Sequence, residues 1–317
     1  MKGEDEKMSS FVVRCKKVLR RGGLNELFKW LIVKKWSRII PDKQYLKIQY
    51  RLHTGKKLNV DDPKLFNEKL QWLKLYDHTP EYITMVDKYA AKEYVANIIG
   101  DQYIIPTLGV WDSFDEIDFD SLPNQFALKC THDSGSVLVC RDKSKLDRGS
   151  AKKKLSEALN RNGFLYGREW PYKEVKARII VEKYMEEKPR KSLKDYKFYC
   201  FNGKPKFLYL SEGLENHATA HISYVTLDWE KTPFVRTDYA PFETLPEKPS
   251  QFEKMKELAA IMAKGIPFSR IDFYEINKQV YFGEITFFPA SGYAQFSPEE
   301  WDGKVGEWLM LPQTKRV

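Results

Sequence analysis

Arg270 and Asp272 stand two residues apart in Arg-Ile-Asp-Phe-Tyr, and Glu284 and Thr286 stand two apart in Glu-Ile-Thr. Both runs are short and rich in aromatic and β-branched residues, and Asn277-Lys278-Gln279 between them reads as the turn of a hairpin. Residues two apart in a strand share a face, so each run presents its two polar groups together. A loop with an odd number of residues would also set Asp272 directly opposite Glu284. Two carboxylates side by side repel unless a positive charge lies between them. Hard oxygen ligands paired this way suit Mg²⁺, which takes one or two carboxylates and completes its shell with phosphate oxygens. A solvated hairpin face whose acids pair with nearby lysines fits the same residues equally well.

Two further stretches could handle a phosphate and a base. Phe126-Ala-Leu-Lys129 is a short apolar strand ending in lysine, followed by Thr131-His132-Asp133-Ser134-Gly135-Ser136 and the apolar run Val137–Cys140. A small-residue loop between strands can wrap phosphate oxygens with its backbone N–H groups, and Lys129 supplies a point charge. By itself, one glycine reads better as an ordinary hairpin turn. Ile179-Ile-Val-Glu182-Lys183-Tyr-Met185 reads as a buried strand ending in a polar pair. Such an end can offer backbone groups to an adenine edge, although buried strands ending in charge are common.

The order and spacing of these pieces resemble the ATP-grasp superfamily, and within it the TupA-like ATP-grasp proteins of bacterial surface-polysaccharide loci. The closer resemblance lies in Phe66-Asn-Glu-Lys-Leu-Gln-Trp-Leu73, Asp87-Lys88-Tyr89, Lys129–Ser136, Asp195-Tyr-Lys197-Phe-Tyr-Cys-Phe-Asn-Gly203 and Gly283–Gly292, and runs from about residue 45 to the C-terminus. It implies an α+β, ATP-grasp fold: two α+β lobes clamping ATP. Lys129 and the loop with His132, Ser134, Gly135 and Ser136 would hold the ATP phosphates. Glu182 and the backbone of Lys183 and Met185 would meet the adenine, and Asp195 would lie near the ribose. Asp272 and Glu284 would bind Mg²⁺, Arg270 would stabilise the transferring phosphoryl group, and Lys197 would reach a phosphate or the acceptor. Thr286 departs from the superfamily pattern, which usually has Asn there; its hydroxyl is a weaker Mg²⁺ ligand. Ser291 and Gly292 lie where related ligases offer N–H groups to a substrate anion.

The resemblance also implies chemistry: ATP phosphorylates a carboxylate, and an amine displaces phosphate to form an amide. A polysaccharide setting points to a sugar uronic acid, nucleotide-linked or lipid-linked, joined to an amino acid or amine. A sugar or glycan kinase, a glycosyltransferase, and a binding module without Mg²⁺ competence are the rival readings. No Gly-x-Ser-x-Gly or Gly-x-Gly-x-x-Gly occurs.

The 317 residues are 42% hydrophobic and 14% aromatic, enough for two or three lobes with cores of their own. Residues 1–60 hold 16 Lys+Arg against 5 Asp+Glu, while the rest is nearly neutral, so this segment carries essentially all of the net +9. Leu24, Leu27, Phe28 and Leu31 recur at helical spacing among Lys29, Lys34, Lys35 and Arg38, with Trp30 and Trp36 alongside. Such a stretch suits a helical subdomain packed on the body, with a membrane surface, an acidic glycan or a partner enzyme as other uses. No motif supports nucleic acid. The start lacks a signal-peptide h-region and no run is long enough to span a membrane, so a cytoplasmic protein is expected, with peripheral attachment at the inner membrane face as an option. Four cysteines (15, 130, 140 and 200) lack metal spacing and read as reduced thiols. His217 and His221 are four apart before a strand-like run, where that spacing makes no metal site.

The chain then divides into a basic helical segment (1–60), a region preceding the nucleotide lobes (61–121), a small lobe (122–184) and a large lobe with the metal-binding hairpin (185–317). Asp62 is expected to cap a helix that starts at Pro63, and Glu186–Ser192 is expected to be a mobile connector over bound nucleotide.

Overall fold

A computed structural model describes residues 36–186, 193–214 and 220–317, together with positions 23, 24, 28, 31 and 32. The connector after Glu186, Cys15, His217 and most of the basic N-terminal stretch lie outside the described residues.

The first described helix, α1 (Asp42–Thr54), leads to α2 (Phe66–Tyr76), α3 (Glu81–Val86) and α4 (Ala90–Ile99). Helix α2 begins three residues later than Pro63. Glu68 accepts from the N–H groups of Lys64 and Leu65 (3.0 and 3.2 Å) and from Asn59 N–H (3.1 Å), while Asn59 turns the chain by accepting from Asp62 N–H. The cap is therefore a carboxylate inside the helix reaching back, and Asp62 and Pro63 belong to the approach.

Strands β1 (Thr107–Trp111), β2 (Phe126–Cys130), β3 (Leu138–Cys140) and β4 (Ile179–Lys183) form an antiparallel sheet in the order β1-β4-β2-β3. Strand β1 thus comes from the segment that precedes residue 122. Phe126, Leu128 and Cys130 alternate inward from β2, and Ile179 and Val181 do so from β4. Helix α5 (Arg148–Leu159), capped by Asp147, covers them with Ala151, Leu155 and Ala158. The opposite face carries Lys129 and Glu182 toward the cleft.

The second sheet joins β5 (Lys194–Phe201), β6 (Lys204–Glu212), β7 (His221–Thr226), β9 (Phe268–Ile276) and β10 (Gln279–Thr286) in the order β10-β9-β5-β6-β7. A small ribbon pairs β8 (Val235–Arg236) with β11 (Phe296–Ser297). The short helix α6 (Gly163–Gly167) lies between α5 and β4 in the chain; α7 (Phe252–Met262) packs Phe252 against Phe198 at 5.7 Å, and α8 (Trp301–Trp308) packs against α2.

Two hydrophobic cores result. One belongs to the four-stranded sheet and α5. The other joins α2, α3, α4 and α7 to the five-stranded sheet, and it also takes in Trp170, with Phe164, Tyr172 and Val175 packed against it. Residues 163–175 are therefore an arm: the chain leaves the small sheet, docks on the larger core, and returns as β4. Cys130, Cys140 and Cys200 are buried free thiols.

Candidate active site

The β9–β10 hairpin turns through two residues, Asn277 and Lys278, both with positive φ (52° and 63°). This is the two-residue geometry that suits the twist of paired strands; Gln279 already lies in β10. An even loop alone would slide Glu284 past Asp272. The register shifts between Phe282 and Glu284, however, leaving Gly283 as the extra residue, so Glu284 pairs with Asp272 and Thr286 with Arg270. A Cβ on Gly283 would lie 3.1 Å from both the Asp272 carbonyl oxygen and the Tyr274 ring, so glycine suits the bulge.

Across β9, Lys197 pairs with Asp272 and Tyr199 with Arg270. One sheet face thus collects Asp195, Lys197, Arg270, Asp272, Glu284 and Thr286. Arg270 grips Asp272 with two bonds, Nε to Oδ1 at 2.7 Å and Nη2 to Oδ2 at 2.6 Å, and Nη2 also reaches Glu284 Oε1 at 2.8 Å. Lys197 Nζ lies 2.9 Å from Asp272 Oδ2 and 3.1 Å from Asp195 Oδ1. Thr286 donates to Glu284 Oε1 at 3.2 Å. Burial works to raise the Glu284 carboxyl, but Lys88, Arg270 and Lys197 outweigh it and hold it at about 2. Burial also opposes the charge on Arg270 and Lys197, yet their carboxylate partners raise both well above the usual range.

On the small lobe, Lys129 and Glu182 meet directly, Nζ to Oε2 at 2.5 Å, and Lys92 of α4 reaches Glu182 Oε1 at 2.6 Å. Burial would raise Glu182, but the two lysines dominate and lower it. Glu182 thus joins both cores. The Lys183 N–H is bonded to Pro106 O at 2.9 Å, which commits that amide inside the lobe, and Met185 lies just beyond the strand, half-buried.

In the loop after Lys129, His132 and Ser136 point into the protein. Ser136 Oγ accepts from Cys130 N–H and donates to Asp133 Oδ1, and His132 Nε2 lies 3.1 Å from Arg161 O. Ser134 and Gly135, the latter with φ 93°, form the exposed tip. Asp87-Lys88-Tyr89 clamps this loop: Lys88 N–H donates to Thr131 O at 3.0 Å and Lys88 Nζ to Asp133 O at 2.5 Å. The Asp87 carboxylate accepts from Tyr89 N–H and pairs with Arg178 at 2.9 Å. The Asp87–Tyr89 triplet carries part of the family resemblance, and its legible sign for this task is a charged pair directly before a helix.

Ser291 and Gly292 sit in a loop where Ala290, Ser291 and Gly292 all have positive φ (47°, 55° and 67°). A polar stripe on α2 holds it. Gln71 Nε2 donates to the carbonyls of Ser291 and Gly292 at 3.1 and 2.9 Å. Lys74 Nζ, fully enclosed, lies 2.8 Å from Ser291 O, 3.2 Å from Ser291 Oγ, 2.7 Å from Gly167 O and 3.0 Å from Gln71 Oε1. Asn67 completes the stripe by donating to Ala294 O at 2.7 Å. Ser291 Oγ in turn donates to Glu169 Oε1 at 2.6 Å. Lys74 and Glu169 were not visible in the sequence as site residues. The legible sign was that Asn67, Gln71 and Lys74 stand at positions i, i+4 and i+7, on one face of a helix that also carries Glu68 and Lys69.

A cavity of about 660 Å³ is lined by His132, Asp133, Ser134, Arg161, Glu169 and Tyr172 among others. Among the described residues no cluster of three or more His, Cys, Asp or Glu is arranged for a metal; His221 stands exposed at the start of β7. Also among the described residues, no helix is long and apolar enough to cross a membrane.

A two-lobed α+β protein with opposed acids on a hairpin and a small-residue loop across the cleft defines the class. The family model for TupA-like ATP-grasp matches residues 68–310, more than half of the chain, and the protein belongs to that family. Among solved structures it is similar to D-alanine–D-alanine ligase from Helicobacter pylori (15% identity, 77% of this chain, 69% of that one, TM-score 0.40). It is also similar to L-amino acid ligase from Bacillus licheniformis (11%, 71% and 49%, TM-score 0.40) and to the Bacillus anthracis D-alanine–D-alanine ligase complexed with ATP (13%, 64% and 54%, TM-score 0.35). The matched region spans little more than half of that last ligase. Comparison with curated proteins gave no match.

Proposed function

We propose that the protein is an ATP- and Mg²⁺-dependent carboxylate–amine ligase of bacterial surface-polysaccharide biosynthesis, joining a sugar uronic acid to an amino acid or amine. The observation that carries this reading is the register match of Asp272 with Glu284, with Arg270 and Lys197 on the same sheet face. The donor set fits a magnesium ion: two opposed carboxylates, a hydroxyl on one of them, and room for a positive charge between them that Arg270 now fills. Asp272, Glu284 and Thr286 would hold the ion, whose bound charge would offset that of the phosphates. Lys129, Lys88 and the N–H groups of Ser134 and Gly135 would take the phosphate oxygens. His132 and Ser136 would shape that loop from beneath. Glu182 and the strand end at Lys183 and Met185 would face the adenine, and Asp195 the ribose. Arg270 and Lys197 would stabilise charge as the substrate carboxylate attacks the γ-phosphorus. The Ser291 N–H donates to Phe288 O at 2.8 Å, so of the loop's two amides the Gly292 N–H would be the one to meet the resulting acyl phosphate, and the cleft would keep water from it. The balance of +11 over residues 1–60 is compatible with work on a lipid-linked acceptor at the inner membrane face.

The test is ADP release with Mg²⁺, screening nucleotide-linked uronic acids against mixed amino acids. ADP that requires both an acid and an amine supports the ligase. Stable phosphorylated sugar without an amine would replace it with a kinase, and ATP-independent consumption of the nucleotide sugar would replace it with a glycosyltransferase.

A further inference from the structure

We infer that the cavity between the phosphate loop and the 163–175 arm receives the amine substrate as its ammonium, and that Glu169 takes the proton the nitrogen must lose before it attacks. This inference rests on the ligase reading. Its first support is position. Glu169 and Tyr172 line the cavity together with Asp133, Ser134, Arg38 and Arg161, so a molecule in it lies beside both the phosphate loop and Glu169. Ser291 ties the same carboxylate to the loop proposed for the acyl phosphate.

Its second support is how the carboxylate is held. Gly167 leaves space for the Ser291–Glu169 contact: a methyl group there would come within 2.2 Å of Ser291 Oγ and 2.9 Å of Glu169 Oε1. Ser291 is itself fixed by Lys74 and Gln71. Glu169 carries a hydrogen bond from Ser291 and, among the described residues, no ion pair. The charged and titratable groups around it are Lys74 from α2, Arg270 from β9, Glu284 from β10 and Tyr172 from its own arm, with Arg38, Asp133 and Arg161 elsewhere on the cavity lining. Burial raises the Glu169 carboxyl, with Lys74 and Ser291 opposing, which makes it a stronger proton acceptor than a surface acid.

The ammonium gives one proton to Glu169, and the free nitrogen lone pair adds to the acyl carbon. The new C–N bond forms as the C–O bond to phosphate breaks, and the second nitrogen proton leaves with the phosphate. Glu169 then returns its proton to water.

Hydroxylamine separates this role from a structural one, because it is already neutral near pH 7 and needs no base to trap an acyl phosphate. The full chain and Glu169→Gln are assayed with ATP, Mg²⁺ and a panel of nucleotide-linked uronic acids, once with hydroxylamine and once with amino acids. Amide formation is expected to fall about 100-fold or more in the variant, while hydroxamate stays within about twofold of wild type. Equal loss of both products, or loss of neither, would overturn the assignment. Glu169→Asp, which keeps the charge but retracts it, should show the same split at smaller size, and it decides the matter should Glu169→Gln fail to fold. No hydroxamate from wild type with any acid would instead remove the ligase reading, and this inference with it.

Discussion

Asp272 and Glu284 are joined through a single nitrogen: Arg270 Nη2 lies 2.6 Å from one carboxylate and 2.8 Å from the other. The guanidinium stands where a divalent cation between the two acids would stand. Such an ion would therefore compete with Arg270 for the same oxygens, and Arg270 would be released toward the phosphates as the ion arrives.

Glu284→Gln weakens that contest for the metal. Mg²⁺-dependent ADP release should drop by about 100-fold or more, the scale of losing one group aimed at a transferring charge. Calorimetry of ATP with and without Mg²⁺ checks the cause. The variant should keep metal-free nucleotide binding and lose most of the gain that Mg²⁺ brings; equal gains in both proteins would show that Glu284 is not a ligand.

Gly283→Val tests the bulge. The added side chain meets the Asp272 backbone and the Tyr274 ring at 3.1 Å, so either the strand separates or the register slips. A loss of about 1–3 kcal/mol in urea unfolding is expected, typical of overpacking at a closed site. Mg²⁺ binding should weaken with it.

Gly292→Ala meets two obstacles. The residue has φ 67°, and a Cβ would lie 2.4 Å from Gln71 Nε2. We expect a loss of about 1–2 kcal/mol in denaturant unfolding. The double variant with Gln71→Ala should recover part of it, since the collision is then gone but the positive φ remains.

Lys74 makes stability depend on pH. Burial lowers its ammonium to about 7, against the pull of Glu169. Between that value and the 10.5 of an exposed lysine, the unfolded chain binds the extra proton, so this group makes stability rise with pH across the window. Thermal unfolding from pH 6.5 to 9.5 should show wild type gaining on Lys74→Met as pH rises. A constant gap would mean that the four surrounding oxygens hold Lys74 charged throughout.

Much of the site was readable because β-strands repeat every two residues. Arg270 with Asp272, and Glu284 with Thr286, had to share faces whatever the fold. Their opposition was not readable: an even turn and a one-residue bulge cancel, and glycine at 283 only shows its reason once Asp272 and Tyr274 lie against it. Lys129 and Glu182 were both legible as strand-end residues, but their contact with each other and with Lys92 depends on sheet pairing and on a helix from the other core. Glu169 had no signal. It sits in an arm with little regular structure, and its partner Ser291 is 122 positions away in sequence. Helix α2 was legible through the family resemblance of Phe66–Leu73, but which of its polar residues reach the site, Asn67, Gln71 and Lys74 rather than Glu68 and Lys69, depends on how the helix packs.

The arm at 163–175 has a consequence for the order of events. Its aromatic residues are rooted in the larger core, whereas the Ser134–Gly135 tip follows a strand of the smaller one. In the ligase reading, Glu169 and the phosphate loop would then ride on separate cores, and the gap between them would be set by how the two cores meet. Parting them would separate Glu169 from the Ser134–Gly135 tip while Asp272 and Glu284 stayed in register. The arm would act as a gauge of closure, because attack would need both cores in contact.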